Sequence, residues 1–476
     1  MNKTKRVAKN TSYLIIASII SYVCYFFALM YMARYLGVSE FGIISLAISF
    51  TGIFGIFTDL GLNMLTVREV SRNKNLQHKY IANTTAMKAV FSILTLISTL
   101  IITILIGYDP QTIMVIFMIT LAIVISSFFI TFFSIFQAFE KMEYQALITG
   151  LDNIFMLAAV IVAINLSLDV IAIASIYLIR NTIVLAYMFL IYFKKFKLPK
   201  IEFDFTFWKK TIKEALPFAL SGIFLTLFIW IPSIFLSVIA GGEAVGFYSA
   251  PNKLIYFFLS LYSVYMVAVF PVMSSFYKKS KNSLKFIFER SVKYTLIICV
   301  PISVLIALLA PQIIKLAFGE SYVPSSFALT ILVWTLILVS LNGISANLLG
   351  SVNRQGTVIK ITVFGIIINV IASFILINKL SFIGASLATV ITDITVMLFL
   401  LYSIFKIDYA NYSVFKDIPK ILISILIMVV VIIGFNDFNL LLKIITGLFS
   451  YLVCLYFIKT FDKNDISIFK KIFRIS

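Results

Sequence analysis

Arg34, Arg180 and Lys253, and Asp59, Asp152 and Asp393, are ionisable residues within or at the end of long apolar runs. A charged side chain near the centre of a bilayer costs about 2.5–3.5 kcal/mol on insertion scales, so each needs a partner, water or a ligand. The basic three suit an anion, because guanidinium grips phosphate oxygens as a planar fork and ammonium acts as a point charge. The acidic three suit a coupling cation, Na+ or H+, or a pair with a basic residue of the other half of the chain. Arg180 and Asp393 both lie near mid-depth of their runs, at about 1.5 Å per residue. Paired with one another, they would form a contact that a phosphate could break by competing for the guanidinium. Arg68-Glu69 follows Asp59 and marks a charged inner mouth. Each residue also has a plainer use: interfacial anchoring for Arg34 and Lys253, snorkelling for Arg180, a cap at Asp59-Leu60-Gly61, and a solvated entrance at Asp152-Asn153.

Other chemistry is excluded by the residue inventory. His78 is the lone histidine, and Cys24, Cys299 and Cys454 all fall in apolar runs, so no metal site, disulfide framework or cofactor is expected. The loops lack the G-x-x-x-x-G-K-[ST] phosphate cradle and are too short for an ATP-binding domain. The aromatic load of 47 Phe and 23 Tyr is expected mainly at lipid-facing and interfacial positions, and Pro217, Pro232, Pro251, Pro271 and Pro301 mark candidate bends.

The elements that hold these residues follow from composition. Of 476 residues 61% are hydrophobic and 12% charged, against about 25% charged in soluble domains. Apolar runs of about 20 residues follow one another almost to the end, which predicts an all-α polytopic membrane protein of about fourteen spans. Their bounds are about 12–33, 43–66, 81–107, 112–138, 148–167, 170–193, 213–239, 248–274, 291–310, 325–348, 358–378, 382–404, 419–435 and 440–459. The net charge of +19 resides in clusters between the spans, where it sets topology and offers no nucleic-acid footprint. Of the 39 Lys and Arg, all but Arg34, Arg180, Lys253, Lys315, Lys379 and Lys443 are assigned to the termini or the even-to-odd loops. The positive-inside rule then places both termini in the cytoplasm.

Gly37-Val38-Ser39-Glu40-Phe41-Gly42 and Gly241-Gly242-Glu243-Ala244-Val245-Gly246 share their glycine spacing, 204 positions apart. A weaker echo links Leu166-Ser167 to Leu380-Ser381. Six spans separate the copies, and an even number preserves orientation, so two parallel repeats are expected. The implied units are 1–200 (spans 1–6), 201–405 (spans 7–12) and 406–476 (spans 13 and 14 with a basic cytoplasmic tail).

Asn10-Thr11, Ala33-Arg34-Tyr35-Leu36-Gly37, Phe41-Gly42, Asp59-Leu60-Gly61-Leu62 and Arg68-Glu69 in the first half form an ordered series. It continues with Leu216-Pro217, Val245-Gly246-Phe247-Tyr248-Ser249-Ala250, and Asn369 followed by Gly384-Ala385-Ser386-Leu387-Ala388-Thr389. This series resembles the polysaccharide flippases, the Wzx-like branch of the multidrug, oligosaccharidyl-lipid and polysaccharide exporter superfamily, over roughly residues 8–400. The resemblance implies two six-helix lobes around a cavity exposed alternately to each side. The expected cargo is an oligosaccharide on a polyprenyl phosphate or pyrophosphate, held by Arg34, Arg180 and Lys253. Expected partners are membrane lipids and glycan-assembly enzymes, with no nucleic acid. Two other functions compete. A multidrug exporter of the same superfamily would use Asp59, Asp152 and Asp393 against a cation gradient. A membrane glycosyltransferase or polymerase needs an external domain with paired acids, for which the outer loops leave no room.

Overall fold

A computed structural model describes residues 3–196, 203–277, 280–410, 415–435, 438–462 and 465. The basic tail beyond 465 and residues 197–202, with Lys197 and Lys200, lie outside the described residues, as do the side chains of Asn10, Thr11 and Pro271. Lipid offers no hydrogen bonds to a backbone, so a spanning segment satisfies its own by coiling. No strand occurs among the described residues, and the helices are α1 Lys3–Phe54, α2 Leu62–Arg72, α3 Gln77–Ile106, α4 Pro110–Ala138, α5 Met142–Asn165, α6 Val170–Lys195 and α7 Phe205–Tyr277, followed by α8 Lys281–Leu308, α9 Ala310–Phe318, α10 Ser325–Leu332, α11 Thr335–Ser351, α12 Gln355–Lys406, α13 Ile418–Gly434 and α14 Leu440–Phe457.

Three of these helices are too long to cross once. At 52, 73 and 52 residues, α1, α7 and α12 would each run well over twice the roughly 30 Å hydrocarbon thickness. Each breaks at one residue: Gly37 (φ 72°, ψ −177°), Gly241 (φ 84°, ψ 175°) and Ser381 (φ 51°, ψ −129°). Each therefore supplies two crossings. Among the described residues ten stretches are long and apolar enough to cross, α13 is a shorter apolar helix, and two crossings for each broken helix accommodate the fourteen expected spans.

The breaks carry the repeat. Gly37 and Gly241 stand 204 positions apart and share a positive φ with ψ near 180°, a conformation that only glycine adopts freely. Beyond them the two halves touch reciprocally. A methyl group on Gly42 would lie 2.0 Å from the Gly242 carbonyl oxygen, and one on Gly246 would lie 2.1 Å from the Val38 carbonyl oxygen. These are the same two positions of each repeat, so the contact obeys a two-fold relation between parallel copies. The weaker echo also has a structural basis, since Ser167 and Ser381 have φ of 52° and 51°. At this end of the molecule, the turn end, short connections open helices with capping acids. Asp109 accepts from Thr112 N at 2.9 Å with Pro110 in the first turn, and Asp169 accepts from Ala172 N at 2.9 Å.

The opposite, basic end joins α13 and α14 to the second lobe. Tyr451 donates to the Ile297 carbonyl of α8 at 2.9 Å. Beside it Arg290 meets Asp465 at 2.6 Å and also Asp462, while Lys293 meets Asp465 at 2.8 Å and Asp417 at 3.1 Å. Burial raises the Asp462 carboxyl, but hydrogen bonds from Arg290 and the Asp465 N–H outweigh it and hold the pKa at about 2. Spans 13 and 14 are thus tethered to α8 by an ionic clamp that no motif announced.

Candidate functional site

The first lobe pairs its mid-span charges internally. The chain leaves a 3-10 turn, Gly55–Thr58, at Asp59, whose carboxylate accepts from Asn63 N at 3.2 Å and meets Lys88 Nζ at 3.1 Å. Lys88, on α3, is fully buried and also donates to Asn63 Oδ1 at 2.7 Å, the Ser127 carbonyl at 2.8 Å and Thr131 Oγ1 at 2.8 Å. Assigning Lys88 to a basic loop is therefore incorrect: it lies inside the lobe as the counter-ion of Asp59. Its place within the apolar run 81–107 was the signal.

Arg180 on α6 meets Asp152 of neighbouring α5 at 3.1 Å, with both side chains 16% exposed. The pair floors a groove of about 470 Å³ lined by Leu151, Phe155, Ile183 and Tyr187. The guanidinium also reaches Asn181 Oδ1 at 3.3 Å, and Asn181 anchors to the Ala122 carbonyl at 2.6 Å. The expected pairing of Arg180 with Asp393 across the lobes is thus not made. The guanidinium instead faces an acid one helix away in the same lobe, as an ion pair in which Asp152 Oδ1 accepts no hydrogen bond among the described residues.

Arg34 has a different task. Its Nε donates to the Ala317 carbonyl at 2.9 Å and its Nη2 to the Leu316 carbonyl. These are orphan acceptors in the last turn of α9, where the helix dipole favours a cation. Arg34 thereby ties the turn end of the first lobe to the second. At the basic end Arg68 does the same. It meets Glu69 at 2.7 Å and, across the lobes, Glu214 of α7 at 2.7 Å, and it stacks on Phe218 at 5.7 Å. The mouth predicted from Arg68-Glu69 is an ionic contact between lobes, completed by a glutamate that the sequence did not single out.

In the second lobe two charges, Lys253 and Asp393, are without ionic partners among the described residues. Lys253 follows Gly241 by twelve residues, about 18 Å along the helix, deeper than the outer position expected from a span beginning at 248. Its ammonium forms no ion pair among the described residues and lies 5.3 Å from the centre of the Trp230 ring. Asp393, 2% exposed on the second half of α12, likewise has no ionic partner among the described residues. Asn342 of α11 donates to the Asp393 carbonyl at 3.2 Å, and Asn369 donates to Thr392 Oγ1 at 3.1 Å. Asn342 Oδ1, Asn369 Oδ1 and Ser373 Oγ are buried without hydrogen-bond partners among the described residues. A buried carboxyl with no cation against it among the described residues can receive a proton or a small cation. Among the described residues no group of three or more His, Cys, Asp or Glu could hold a metal ion. Among the described residues Arg34, Arg180 and Lys253 have separate contacts, the α9 carbonyls, Asp152 and the Trp230 ring.

Comparison with known proteins adds the family. The chain is 26% identical over 327 residues to the putative O-antigen transporter of Shigella flexneri, covering 63% of this chain and 74% of that protein. An uncharacterized membrane protein of Methanocaldococcus jannaschii, MJ1068, is 30% identical over 175 residues, covering 37% of this chain and 34% of its own length. Among solved structures the inward closed conformation of the lipid II flippase MurJ shares the fold. Its TM-score is 0.79 at 19% identity, over 94% of this chain and 98% of that one. Residues 7–277, more than half of the chain, match the polysaccharide biosynthesis protein family. With its broken helices, reciprocal glycine contacts and paired lobes, this multi-pass membrane protein belongs to that family.

Proposed function

We propose that the chain is a flippase that carries an oligosaccharide on a polyprenyl phosphate or pyrophosphate from the cytoplasmic to the outer leaflet, and makes or breaks no covalent bond. The observation that carries this reading is Lys253, a deep ammonium with an aromatic face beside it and no carboxylate against it among the described residues. Such a cation attracts an anionic head group and repels the organic cations of a multidrug exporter. The relationship to an O-antigen transporter supports a lipid-linked glycan as cargo.

In this mechanism residues 1–200 and 201–405 rock against one another, and 406–476 travels with the second lobe through the Arg290 and Lys293 clamp. The protein sits in the inner membrane with both termini cytoplasmic. The Arg68–Glu214 contact closes the inner mouth and breaks when that side opens. Arg34 and Arg180, already occupied by carbonyls and by Asp152, serve the lobes' structure and leave the phosphate to Lys253. Moving one negative charge out of a cell whose interior is negative gains about 2.3 kcal/mol per 100 mV, and Asp393 adds a site for a coupling Na+ or H+. Glycan-assembly enzymes on the two faces supply and consume the cargo.

The test is Lys253→Met beside Lys253→Arg, with surface glycan and membrane abundance measured in the same cells. The methionine variant should lose most export at normal abundance, and the arginine variant should retain a substantial part. Normal export by the methionine variant would remove the basis of the proposal.

A further inference from the structure

Trp230 is the aromatic side chain that touches Lys253, and it also touches the other lobe. It stands eleven residues before the Gly241 break and Lys253 twelve after it, so the two face one another across the α7 hairpin at matching depth. The ammonium lies 5.3 Å from the ring centre, within the roughly 6 Å reach of a cation–π contact. The indole also rests against the second half of α1. A methyl group on Gly52 would lie 2.4 Å from Trp230 Nε1 and 2.7 Å from Cδ1 and Cε2. The pyrrole part of the ring thus fills the space that any side chain at position 52 would need.

The two-fold counterpart of this contact lacks the cation. Shifting by 204 positions maps Trp230 onto Phe26, Gly52 onto Tyr256 and Lys253 onto Ser49. There Phe26 packs on Phe257 with ring centres 4.9 Å apart. Aromatic contacts therefore occur at both symmetry-related seams between the lobes, and among the described residues an ammonium joins the Trp230 one.

We infer that Trp230 is a positioning residue that relays occupancy of Lys253 to the seam between the lobes; this rests on Lys253 being the phosphate contact. In the empty carrier the ammonium lies against the indole while Gly52 seats the face of its pyrrole ring. A phosphate binds the ammonium through shorter, charge-assisted hydrogen bonds and draws it off the ring. The indole then loses one of its two holds and can leave the Gly52 seat, which allows α1 and α7 to separate.

The experiment uses the full chain in lipid nanodiscs and vesicles. Trp208→Phe and Trp334→Phe leave Trp230 as the sole tryptophan of the three in the chain, and a polyprenyl pyrophosphate is the probe. Trp230 emission should shift as the probe saturates, and Lys253→Met should abolish both the shift and the binding. Trp230→Ala should bind the probe within about thirtyfold of the parent, the change that a desolvated cation–π contact commands, yet flip bound probe about tenfold more slowly or worse. Gly52→Ala should slow flipping by crowding the indole, and Gly52→Ala with Trp230→Phe should recover it, an effect that loss of folding cannot mimic. Normal flipping by Trp230→Ala overturns the inference. So does Lys253-dependent binding that leaves Trp230 emission unchanged, or failure of the smaller ring to rescue Gly52→Ala. Absence of binding to the parent, or binding indifferent to Lys253→Met, would instead sink the phosphate reading and the inference with it.

Discussion

The two lobes share a fold and a repeat but treat mid-span charge in opposite ways. In the first, Lys88 meets Asp59 and Arg180 meets Asp152, each acid one or two helices from its base. In the second, Lys253 and Asp393 meet no ionic partner among the described residues. Paired charges in a low-dielectric interior are committed, because removing either member strands the other at a cost of about 3–5 kcal/mol. Unpaired charges strand nothing when removed, and so remain free for a phosphate or a cation. The first lobe thus uses its charges as structure, and the second keeps them available.

The largest expected effect tests that contrast directly. Arg180→Met should lower stability by about 3–5 kcal/mol, because Asp152 loses its counter-ion. Membrane abundance should collapse and return in part with Arg180→Met plus Asp152→Leu. Lys253→Met should leave the melting temperature in detergent near that of the parent. An abundant, well-folded Arg180→Met protein that cannot export would reverse the assignment of roles between the lobes.

A smaller effect is expected at the acids. Asp393→Asn should change stability by less than about 1 kcal/mol, since no buried cation is stranded, whereas Asp152→Asn should cost several. Export by the asparagine variant at position 393 should lose its dependence on an imposed Na+ or pH gradient. Comparing export with and without the gradient separates coupling from folding, and a dependence left intact would remove Asp393 from the ion pathway.

The smallest effect concerns the clamp on α13 and α14. The Asp462 pKa is depressed to about 2 in the folded protein, against about 3.9 for a free aspartate. Its stabilisation is therefore complete above pH of about 4 and fades as the pH falls toward 2. Hydrogen-exchange protection along α13 and α14, taken relative to the intrinsic rate at each pH, should stay flat from pH 7 to about 4 and fall below about 3. Release near pH 6 would mean that another group governs the tether.

Much of the architecture was legible from the chain alone, and for physical reasons. Spans show because lipid demands about 20 apolar residues in a row. The repeat shows because a backbone at φ 72° or 84° admits little but glycine, and a carbonyl oxygen 2.0 Å from a would-be methyl admits nothing else. Gly37, Gly42, Gly241 and Gly246 therefore mark the turn and the reciprocal seam from sequence. The rarity of charge in apolar runs likewise marked Arg34, Asp59, Asp152, Arg180, Lys253 and Asp393.

Composition and local geometry could go no further, because an ion pair across helices leaves no periodic trace in either one. Only the packing of α5 on α6 decided that Arg180 belongs to Asp152 and not to Asp393. Only the burial of α3 made Lys88 the partner of Asp59, and only the meeting of the lobes brought Glu214 to Arg68. Trp230 had no sequence signal, since one indole among many aromatic residues becomes distinctive only when folding sets it between Lys253 and Gly52. The chain alone determined which residues carry charge at mid-depth, through the cost of burying them. Tertiary structure decided which of those charges are matched, because matching depends on helices brought together from distant parts of the sequence.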